Sequence, residues 1–477
     1  MTRPVLVWFG RDLRLDDHPA LACLEGRPAL FVYALDDEGR TLGGAARWWL
    51  SHSLARLGAD IAARGGRLDI LRGSSERWIL EVARAAGAAE VLWGRRYGGA
   101  DVSRLTRIKA ALKKQAIAAR SFNLSLLREP WEVASDEGRP YRVFTPFWRR
   151  HRTLGAFPAP VAPPERLVAA PWPADAPGRV DLGALRLRPQ QPDGSGGLAA
   201  AWTPGERGAE ARMREFLEGS LAGYAEARDR PDGDFTSRLS PHLAFGELSP
   251  RRLFYAVEAA IAADGGLARD GEKFLSELGW REFAHAQLYA APDLATRAWA
   301  EKFERFPFLD DEAGFRAWTQ GATGYPFVDA GMRQLRATGW MHNRVRMVAA
   351  SFLVKHLLVD WRHGESWFWD SLCDADAANN PAGWQWVAGS GADAAPYFRI
   401  FNPVLQGEKF DPDGDYVRRL VPELAELSAK AVHAPWRAPA EELARAGIVL
   451  GATYPRPIVD HDLARRRALA ALATISA

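Results

Sequence analysis

Residues 5–35 read VLVWFGRDLRLDDHPALACLEGRPALFVYAL, in which two short apolar runs flank a polar segment. Two further apolar runs, LDILRG at 68–73 and EVLWGRR at 90–96, continue the pattern. Between the runs, residues 45–57 and 75–86 have helical periodicity with small and charged outer faces. This alternation predicts an α/β domain with a parallel sheet. Because no G-x-G-x-x-G follows the first run, the sheet lacks the usual pyrophosphate-binding turn of dinucleotide enzymes.

The character of the chain changes after about residue 156. Residues 156–204 are rich in Pro, Gly and Ala, which is typical of a long inter-domain connection. Beyond Gly205 nearly every segment has a helical pattern, with a helix start at Ser249-Pro250 and a long helical stretch from Val328 to His356. A chain of 477 residues is also too long for one compact core. We therefore predict an α/β domain over 1–130, an inter-domain linker over 131–205 and an all-helical domain over 206–477.

Composition limits the classes of function. With 47% hydrophobic and 25% charged residues the chain lies in the range of globular proteins. Its N-terminal apolar run is too short for a signal peptide or a membrane span, so we expect a cytoplasmic protein without a membrane partner. The cysteines Cys23 and Cys373 are too few for a disulfide framework or a Cys-based zinc site. The net charge of +3 does not by itself indicate nucleic-acid binding, but residues 331–364 hold six Lys and Arg against one acid.

A short polar turn precedes a helix in FTSRLSP at 235–241. It carries three hydroxyls, on Thr236, Ser237 and Ser240. Hydroxyls and helix-terminal amides suit a phosphate, but the same residues are also ordinary N-caps. The turn alone does not decide between the two interpretations.

Two helical faces combine polar and aromatic groups. Glu277, Trp280 and Arg281 stand at i, i+3 and i+4, a face that could hold a nucleobase or could be a half-buried Trp beside an ion pair. In GWMHNRVRM at 339–347, Asn343 and Met347 share a face. Arg344 and Arg346 flank that face and would attract phosphate, although an ordinary solvated helix surface is the alternative.

Residues 367–403, WFWDSLCDADAANNPAGWQWVAGSGADAAPYFRIFNP, concentrate polar groups and Trp. Asp374, Asp376 and Asn380 lie within seven residues. No His or Glu stands at ligand spacing, so hydrogen bonding to a ribose or a heterocycle fits better than a metal.

Several long motifs resemble the photolyase/cryptochrome family. They are WFGRDLRLDDHPAL at 8–21, TSRLSP at 236–241, WREF at 280–283, TGYPFVDAGMRQLRATGWMHNRVRM at 323–347, ASFLVKHLLVDW at 350–361, DADAANN at 374–380 and QGEKFD at 406–411. The resemblance extends from Val5 to about His461. It implies a Rossmann-like N-terminal domain and an all-α C-terminal domain that binds a folded FAD.

The resemblance also assigns the cofactor residues. It places the FAD phosphate side at Tyr224, Thr236, Ser237, Leu239 and Ser240, and the flavin ring and sugar chain at Asn343, Arg346, Asp374, Asp376 and Asn380. Asn380 would face flavin N5, where a neutral amide suits a reduced ring that a carboxylate would repel. A second, light-harvesting pigment is frequent in the family, and methenyltetrahydrofolate is the expected one.

The implied function is light-dependent repair of cyclobutane pyrimidine dimers by electron transfer from excited, reduced FAD to a flipped-out lesion. The resemblance places the lesion at Glu277, Trp280, Arg281, Asn343, Arg344, Met347 and Trp386, with DNA phosphate contacts at Arg228, Arg344 and Arg399. Glu277 would hydrogen-bond the dimer, so that with Asn380, Trp384 and Trp361 it forms the catalytic set. The expected partner is UV-damaged DNA, bound without sequence specificity by a monomer.

The electron route to oxidised flavin departs from the family pattern. Two of its three Trp positions match, Trp384 and then Trp361, but the outer position holds Phe308. We therefore expect slow photoreduction, or a route through another aromatic such as Trp340 or Tyr397.

Two other functions remain open. A cryptochrome-like photoreceptor would keep the flavin and signal to a partner. A (6-4) photoproduct enzyme would carry His residues on the helix that here presents Asn343 and Met347.

Overall fold

The computed structural model describes residues 2–36, 39–135, 137–176, 178–189, 194–394 and 398–475. The backbone forms two compact units. Unit 1 comprises Met1–Ala222, Ser237–Pro292 and Cys373–Asp376, and unit 2 comprises Gly223–Thr236, Asp293–Leu372 and Ala377–Ala477. Because the units interleave along the chain, they do not test the domain boundaries predicted at residues 130 and 205, which remain a proposal.

Unit 1 contains a five-stranded parallel sheet in the order β3-β2-β1-β4-β5. The strands are β1 (Val5–Phe9), β2 (Ala29–Leu35), β3 (Leu68–Arg72), β4 (Glu90–Gly94) and β5 (Ala118–Phe122). Four of them coincide with the predicted apolar runs, and the predicted α/β class is confirmed. The fifth was not predicted because AARSF is a partly exposed edge strand without a continuous apolar run.

Helices cover the sheet and extend unit 1. They are α1 (Pro19–Ala22), α2 (Gly44–Ala63), α3 (Ser75–Ala85), α4 (Gly99–Lys114), α5 (Phe144–Thr153), α6 (Gly196–Ala201), α7 (Glu206–Glu215), α9 (Ser240–Ala244), α10 (Pro250–Ala263) and α11 (Ala268–Ala290), while α8 (Tyr224–Ala227) belongs to unit 2. The predicted start of α10 is confirmed, since the Ser249 hydroxyl accepts hydrogen bonds from the amides of Arg251 and Arg252.

In the ranges that the structure describes, unit 2 contains helices joined by turns and irregular segments, and no β-strand. Besides α8 it contains α12 (Glu312–Gln320), α13 (Pro326–Thr338), α14 (Asn343–Ser351), α15 (Trp361–Ser371), α16 (Asn379–Ala388), α17 (Pro403–Phe410), α18 (Asp415–Leu420), α19 (Ala440–Arg445) and α20 (His461–Thr474). A π-helical turn, Phe352–His356, follows α14 directly. Across the described ranges, no helix is both long enough and apolar enough to span a bilayer.

The long helix predicted from Val328 to His356 is wrong, because the segment contains two helices and a π-helical turn. Gly339 ends α13 in the left-handed conformation, with φ of 65°. His342 then caps α14 by accepting the amide hydrogen of Arg344 on Nδ1 at 3.2 Å. The apolar periodicity continues across this break, which is why the sequence pattern did not reveal it.

Candidate functional site

The hydroxyl turn at the start of α9 is not a simple helix cap. No side chain caps this helix. The Ser240 hydroxyl instead donates to the Asp374 carboxylate at 2.6 Å, and the Ser237 hydroxyl accepts from the Leu239 amide at 3.4 Å. The turn and the DADAANN motif, which are far apart in sequence, therefore meet within unit 1.

Asp376, in the same motif, lies beside a buried histidine of α11. The distance from Asp376 Oδ2 to His285 Nε2 is 3.7 Å. Burial lowers the pKa of His285, so its imidazole is neutral at neutral pH. Among the described residues, no three His, Cys, Asp or Glu side chains converge as metal ligands would.

In unit 2 the amide of Asn380 is held in one orientation. Its Nδ2 donates both to the backbone carbonyl of Glu365 at 3.0 Å and to Oε1 of the same residue at 2.8 Å. Both partners are acceptors, so the nitrogen must point toward Glu365 and the carbonyl oxygen of Asn380 must point elsewhere. Glu365 is 2% exposed and was not among the predicted site residues.

The first turns of α14 carry the predicted polar face. Asn343 Nδ2 lies 4.0 Å from Met347 Sδ, so these two side chains share a face as predicted. Arg344 donates to Asp229 at 2.6 Å, and Arg346 donates to the Met341 carbonyl at 2.7 Å. Burial lowers the pKa of His342 to about 4, which keeps its capping nitrogen unprotonated.

Two further predicted residues lie at the two ends of α8, with Arg228 directly after its last residue. Tyr224 begins this helix and is 5% exposed. The guanidinium of Arg228 lies 5.6 Å from the Tyr224 ring centroid. Thr236 belongs to the same unit.

On α11, Trp280 forms part of an aromatic stack. Its ring lies 3.9 Å from that of Phe144, with 9° between the planes. Glu277 pairs with Lys273 at 3.1 Å, whereas Arg281 donates to the Ser125 carbonyl at 2.6 Å. Trp280 therefore lies in an aromatic stack, while Glu277 pairs with a lysine of the same helix and Arg281 binds a backbone carbonyl. Phe144, the first residue of FTPF at 144–147, was not among the predicted site residues.

The aromatic surroundings of Trp384 differ from the expected row. Trp384 and Trp361 are both buried, at 3% and 1% exposure. The Trp318 ring lies 6.1 Å from that of Trp384. The Phe315 ring lies 5.9 Å from that of Trp318 and 6.3 Å from that of Trp367, which is 37% exposed. Phe308 packs against Phe306 at 4.8 Å, and Tyr397 lies outside the described residues.

Trp386 and Arg399 complete the predicted set, and both are half-buried. Trp386 lies on α16, two residues beyond Trp384. The backbone carbonyl of Arg399 accepts a hydrogen bond from Lys355.

The donor set suits a flavin dinucleotide better than a metal. Four of the five residues assigned to the phosphate side carry hydroxyls, and those assigned to the ring and sugar chain carry two amides, a guanidinium and two carboxylates. The fixed orientation of Asn380 presents a carbonyl oxygen, which can accept a hydrogen bond from an N–H group of a reduced flavin.

Family models match most of the chain. Residues 5–165 match the model described as DNA photolyase, and residues 274–474 match the FAD binding domain of DNA photolyase. The chain belongs to the DNA photolyase family, and FAD is its cofactor.

Individual relatives agree along nearly the whole length. The deoxyribodipyrimidine photo-lyase of Agrobacterium fabrum is 49% identical over 99% of this chain and 98% of its own. Cryptochrome-1 of Arabidopsis thaliana is 41% identical over 97% of this chain and 69% of its own. The crystal structure of a class III photolyase from Agrobacterium tumefaciens has a TM-score of 0.94, at 48% identity over 100% of this chain and 98% of that one.

Proposed function

We propose that this protein is a photolyase that repairs cyclobutane pyrimidine dimers in UV-damaged DNA with light. The observation that carries the proposal is the Asn380 amide, whose nitrogen is committed to Glu365. A neutral acceptor fixed at this position favours the reduced flavin that dimer repair requires. Relatives named deoxyribodipyrimidine photo-lyase support the same reaction.

FAD is bound by residues that the sequence motifs identify. The phosphate side contacts Tyr224, Thr236, Ser237, Leu239 and Ser240. The Ser240 hydroxyl also donates to Asp374 and fixes that carboxylate for the ring side. The residues that contact the ring and the sugar chain are Asn343, Arg346, Asp374, Asp376 and Asn380. His285 lies behind Asp376 and is neutral, so it adds no charge there.

Reduced FAD, when bound and excited by light, supplies the electron that opens the dimer and then takes it back. The protein orients the reacting groups and excludes water. The Asn380 oxygen would accept a hydrogen bond from N5–H of the reduced flavin, and Glu365 keeps the amide from rotating. Glu277 hydrogen-bonds the dimer.

The lesion leaves the duplex and stacks on aromatic rings. Trp280 supplies one surface, and its own stack on Phe144 keeps that ring rigid. Trp386, Met347, Asn343 and Arg281 bound the rest. Flipping a base costs a few kcal/mol and costs least at a damaged site, so the lesion selects itself.

Phosphate contacts fall to Arg228, Arg344 and Arg399, which position DNA without reading its sequence. Arg344 has to exchange its ion pair with Asp229 for a phosphate. We also propose a cytoplasmic monomer, with methenyltetrahydrofolate as a second pigment.

An absorption spectrum and a repair assay test the proposal. The purified protein should have flavin bands, and blue light should remove dimers from a dimer-containing duplex that stays unchanged in the dark. A flavin-containing protein that binds no dimer and repairs none in light would instead be a photoreceptor. A protein without flavin bands would contradict the proposal altogether.

A further inference from the structure

Lys355 is a buried cation whose ammonium group contacts the segment around Arg399. It is 2% exposed and lies in the π-helical turn that follows α14. Its ammonium donates to the backbone carbonyl of Arg399 and lies 4.2 Å from the Phe398 ring centroid. Within the described residues no carboxylate lies within 4.0 Å of it, so burial is offset only by a carbonyl and a ring face.

The segment Phe398–Phe401 is held on both sides of Arg399. Lys355 binds it at the Arg399 carbonyl, and the Ser351 hydroxyl accepts from the Phe401 amide at 3.4 Å. Ser351 ends α14, and Lys355 lies four residues later in the π-helical turn that follows. π-Helical turns of this kind occur frequently at functional sites.

We propose that Lys355 is a positioning residue that fixes the backbone of Arg399 for contact with a DNA phosphate and places a second positive charge beneath it. This inference rests on the proposed function, which assigns Arg399 to a phosphate. The charge distinguishes the role from simple packing, because an apolar side chain of similar length would fill the same space.

The charge of Lys355 changes near neutral pH. Burial, followed by the nearby Arg399, lowers the pKa of Lys355 to about 7. Among the described residues, the same turn also carries His356, which hydrogen-bonds His461 of α20, and Arg467 of α20 donates to the His356 carbonyl. Burial lowers the pKa of both histidines, that of His356 to about 3, so Lys355 is the group that loses charge as the pH rises through 7.

The test is binding of the FAD-loaded protein to a dimer-containing duplex, at several salt concentrations and from pH 6 to 9. Arg399→Ala should weaken binding about fivefold and reduce the salt slope by about 1, as expected for one lost phosphate contact. Lys355→Met should do the same, and the loss of affinity in the double variant should be smaller than the sum of the two single losses, because part of the effect of Lys355 acts through Arg399. Lys302→Met is the control, because Lys302 is exposed and lies 5.7 Å from the Phe303 ring.

The pH profile separates charge from packing. Binding by the unaltered protein should weaken about threefold as the pH rises through 7, because one positive charge is lost. Lys355→Arg stays charged and should remove that dependence while retaining affinity. If Lys355→Met fails to retain flavin, the pH profiles of Lys355→Arg and the unaltered protein still test whether the charge of Lys355 contributes to DNA binding.

Three results contradict the inference or its basis. Normal affinity and salt slope in Lys355→Met, with weak binding by Arg399→Ala, would overturn the role of Lys355 and leave the proposed function intact. Normal binding by Arg399→Ala would remove the phosphate contact on which the inference rests. Failure of the unaltered protein to bind dimers would instead refute the proposed function.

Discussion

Asn380 and Glu365 form a hydrogen-bonded pair in which the Asn380 amide is neutral and donates to the Glu365 carboxyl group. Asn380→Asp would bring two carboxylates within about 3 Å, so one must keep its proton, and the pKa of the pair rises. We expect the variant to lose about 1–3 kcal/mol of unfolding free energy at pH 8. The loss should be smaller at pH 5, because a raised folded-state pKa gives stability that disappears as the pH increases through it. Reduced flavin should also reoxidise faster.

The matched control is Asn379→Asp, the same change one residue earlier at the start of α16. Denaturant unfolding and flavin absorption after reduction measure both variants. Equal unfolding free energies of Asn380→Asp and Asn379→Asp at pH 8 would contradict the hydrogen bonds between Asn380 and Glu365.

Trp280 is half-buried, and we expect its ring to stack on the lesion. Trp280→Ala should weaken lesion binding by about tenfold or more, since a stacked base contributes about 1–3 kcal/mol. Flavin content should not change. Trp280→Phe keeps a ring against Phe144 and should retain most of the affinity. Loss of flavin from Trp280→Ala would mean that this side chain belongs to the cofactor site.

Photoreduction should depend on Trp318 more than on Trp340. The Trp318 ring neighbours the Trp384 ring at 6.1 Å, whereas the Trp340 ring lies 6.2 Å from the His342 ring. Trp318→Phe should slow light-driven reduction of oxidised flavin, and Trp340→Phe should not. Transient absorption can measure both rates. A normal rate of photoreduction in Trp318→Phe would exclude electron transfer through Trp318.

Much of the candidate site could be predicted at the level of residues because its motifs are long. The contacts that orient those residues could not. Glu365 and Phe144 act through partners 15 and 136 positions away, and nothing in their local sequence marks the pairing. A hydroxyl such as that of Ser240 looks the same in sequence whether it faces a phosphate or a carboxylate.

Between elements, α15 and α16 pack through a glycine. A Cβ added to Gly364 would lie 2.1 Å from Trp384 Cη2, closer than atoms can approach, whereas one added to Gly383 on α16 meets nothing within 4 Å. Gly364→Ala should therefore cost about 1–3 kcal/mol of unfolding free energy and displace Trp384. Photoreduction should slow with it.

Gly383→Ala is the paired control, since it is exposed on α16 and should gain up to about 1 kcal/mol. Thermal unfolding and the photoreduction rate measure both variants. Similar stability in the two would mean that α15 can move away from the indole at little cost.

Elements with strong periodicity were predictable, and those set by tertiary contacts were not. β2 matches its apolar run residue for residue, because a buried strand must be apolar on both faces. β5 pairs only with β4, and its sequence is half polar. The break before α14 depends on Gly339 and on a histidine cap, which is an uncommon capping residue.

For the whole molecule, Asp411 should make stability depend on pH. Burial raises the pKa of Asp411 to about 6, although the amides of Tyr416 and Val417 donate to it. Because the folded pKa exceeds the unfolded one, this group stabilises the fold at low pH, and the contribution is lost as the pH rises from about 4 through 6. The expected loss is on the order of 2–3 kcal/mol.

Asp411→Asn should flatten this part of the pH profile, and the exposed Asp413→Asn should leave it as it is. Denaturant unfolding from pH 4 to 8 gives the comparison. A profile of Asp411→Asn that parallels the unaltered protein would show that another group titrates.

The fold class and the family could be predicted for the whole molecule because both rest on features spread along the chain. The division into compact units could not, because four residues around Asp374 belong with unit 1 while the helices on either side belong to unit 2. Local composition indicates boundaries only between consecutive segments, so it does not detect a short segment that packs with the other unit.

The hydrogen bonds between Asn380 and Glu365 restrict the order in which this protein could diverge. An acid at position 380 destabilises the fold less once position 365 is uncharged, since the reverse order passes through two carboxyl groups that share one proton in the interior. A descendant that acquired Asp at 380 would therefore be expected to carry an earlier replacement of Glu365. The history of such a lineage would be readable from which of the two positions changed first.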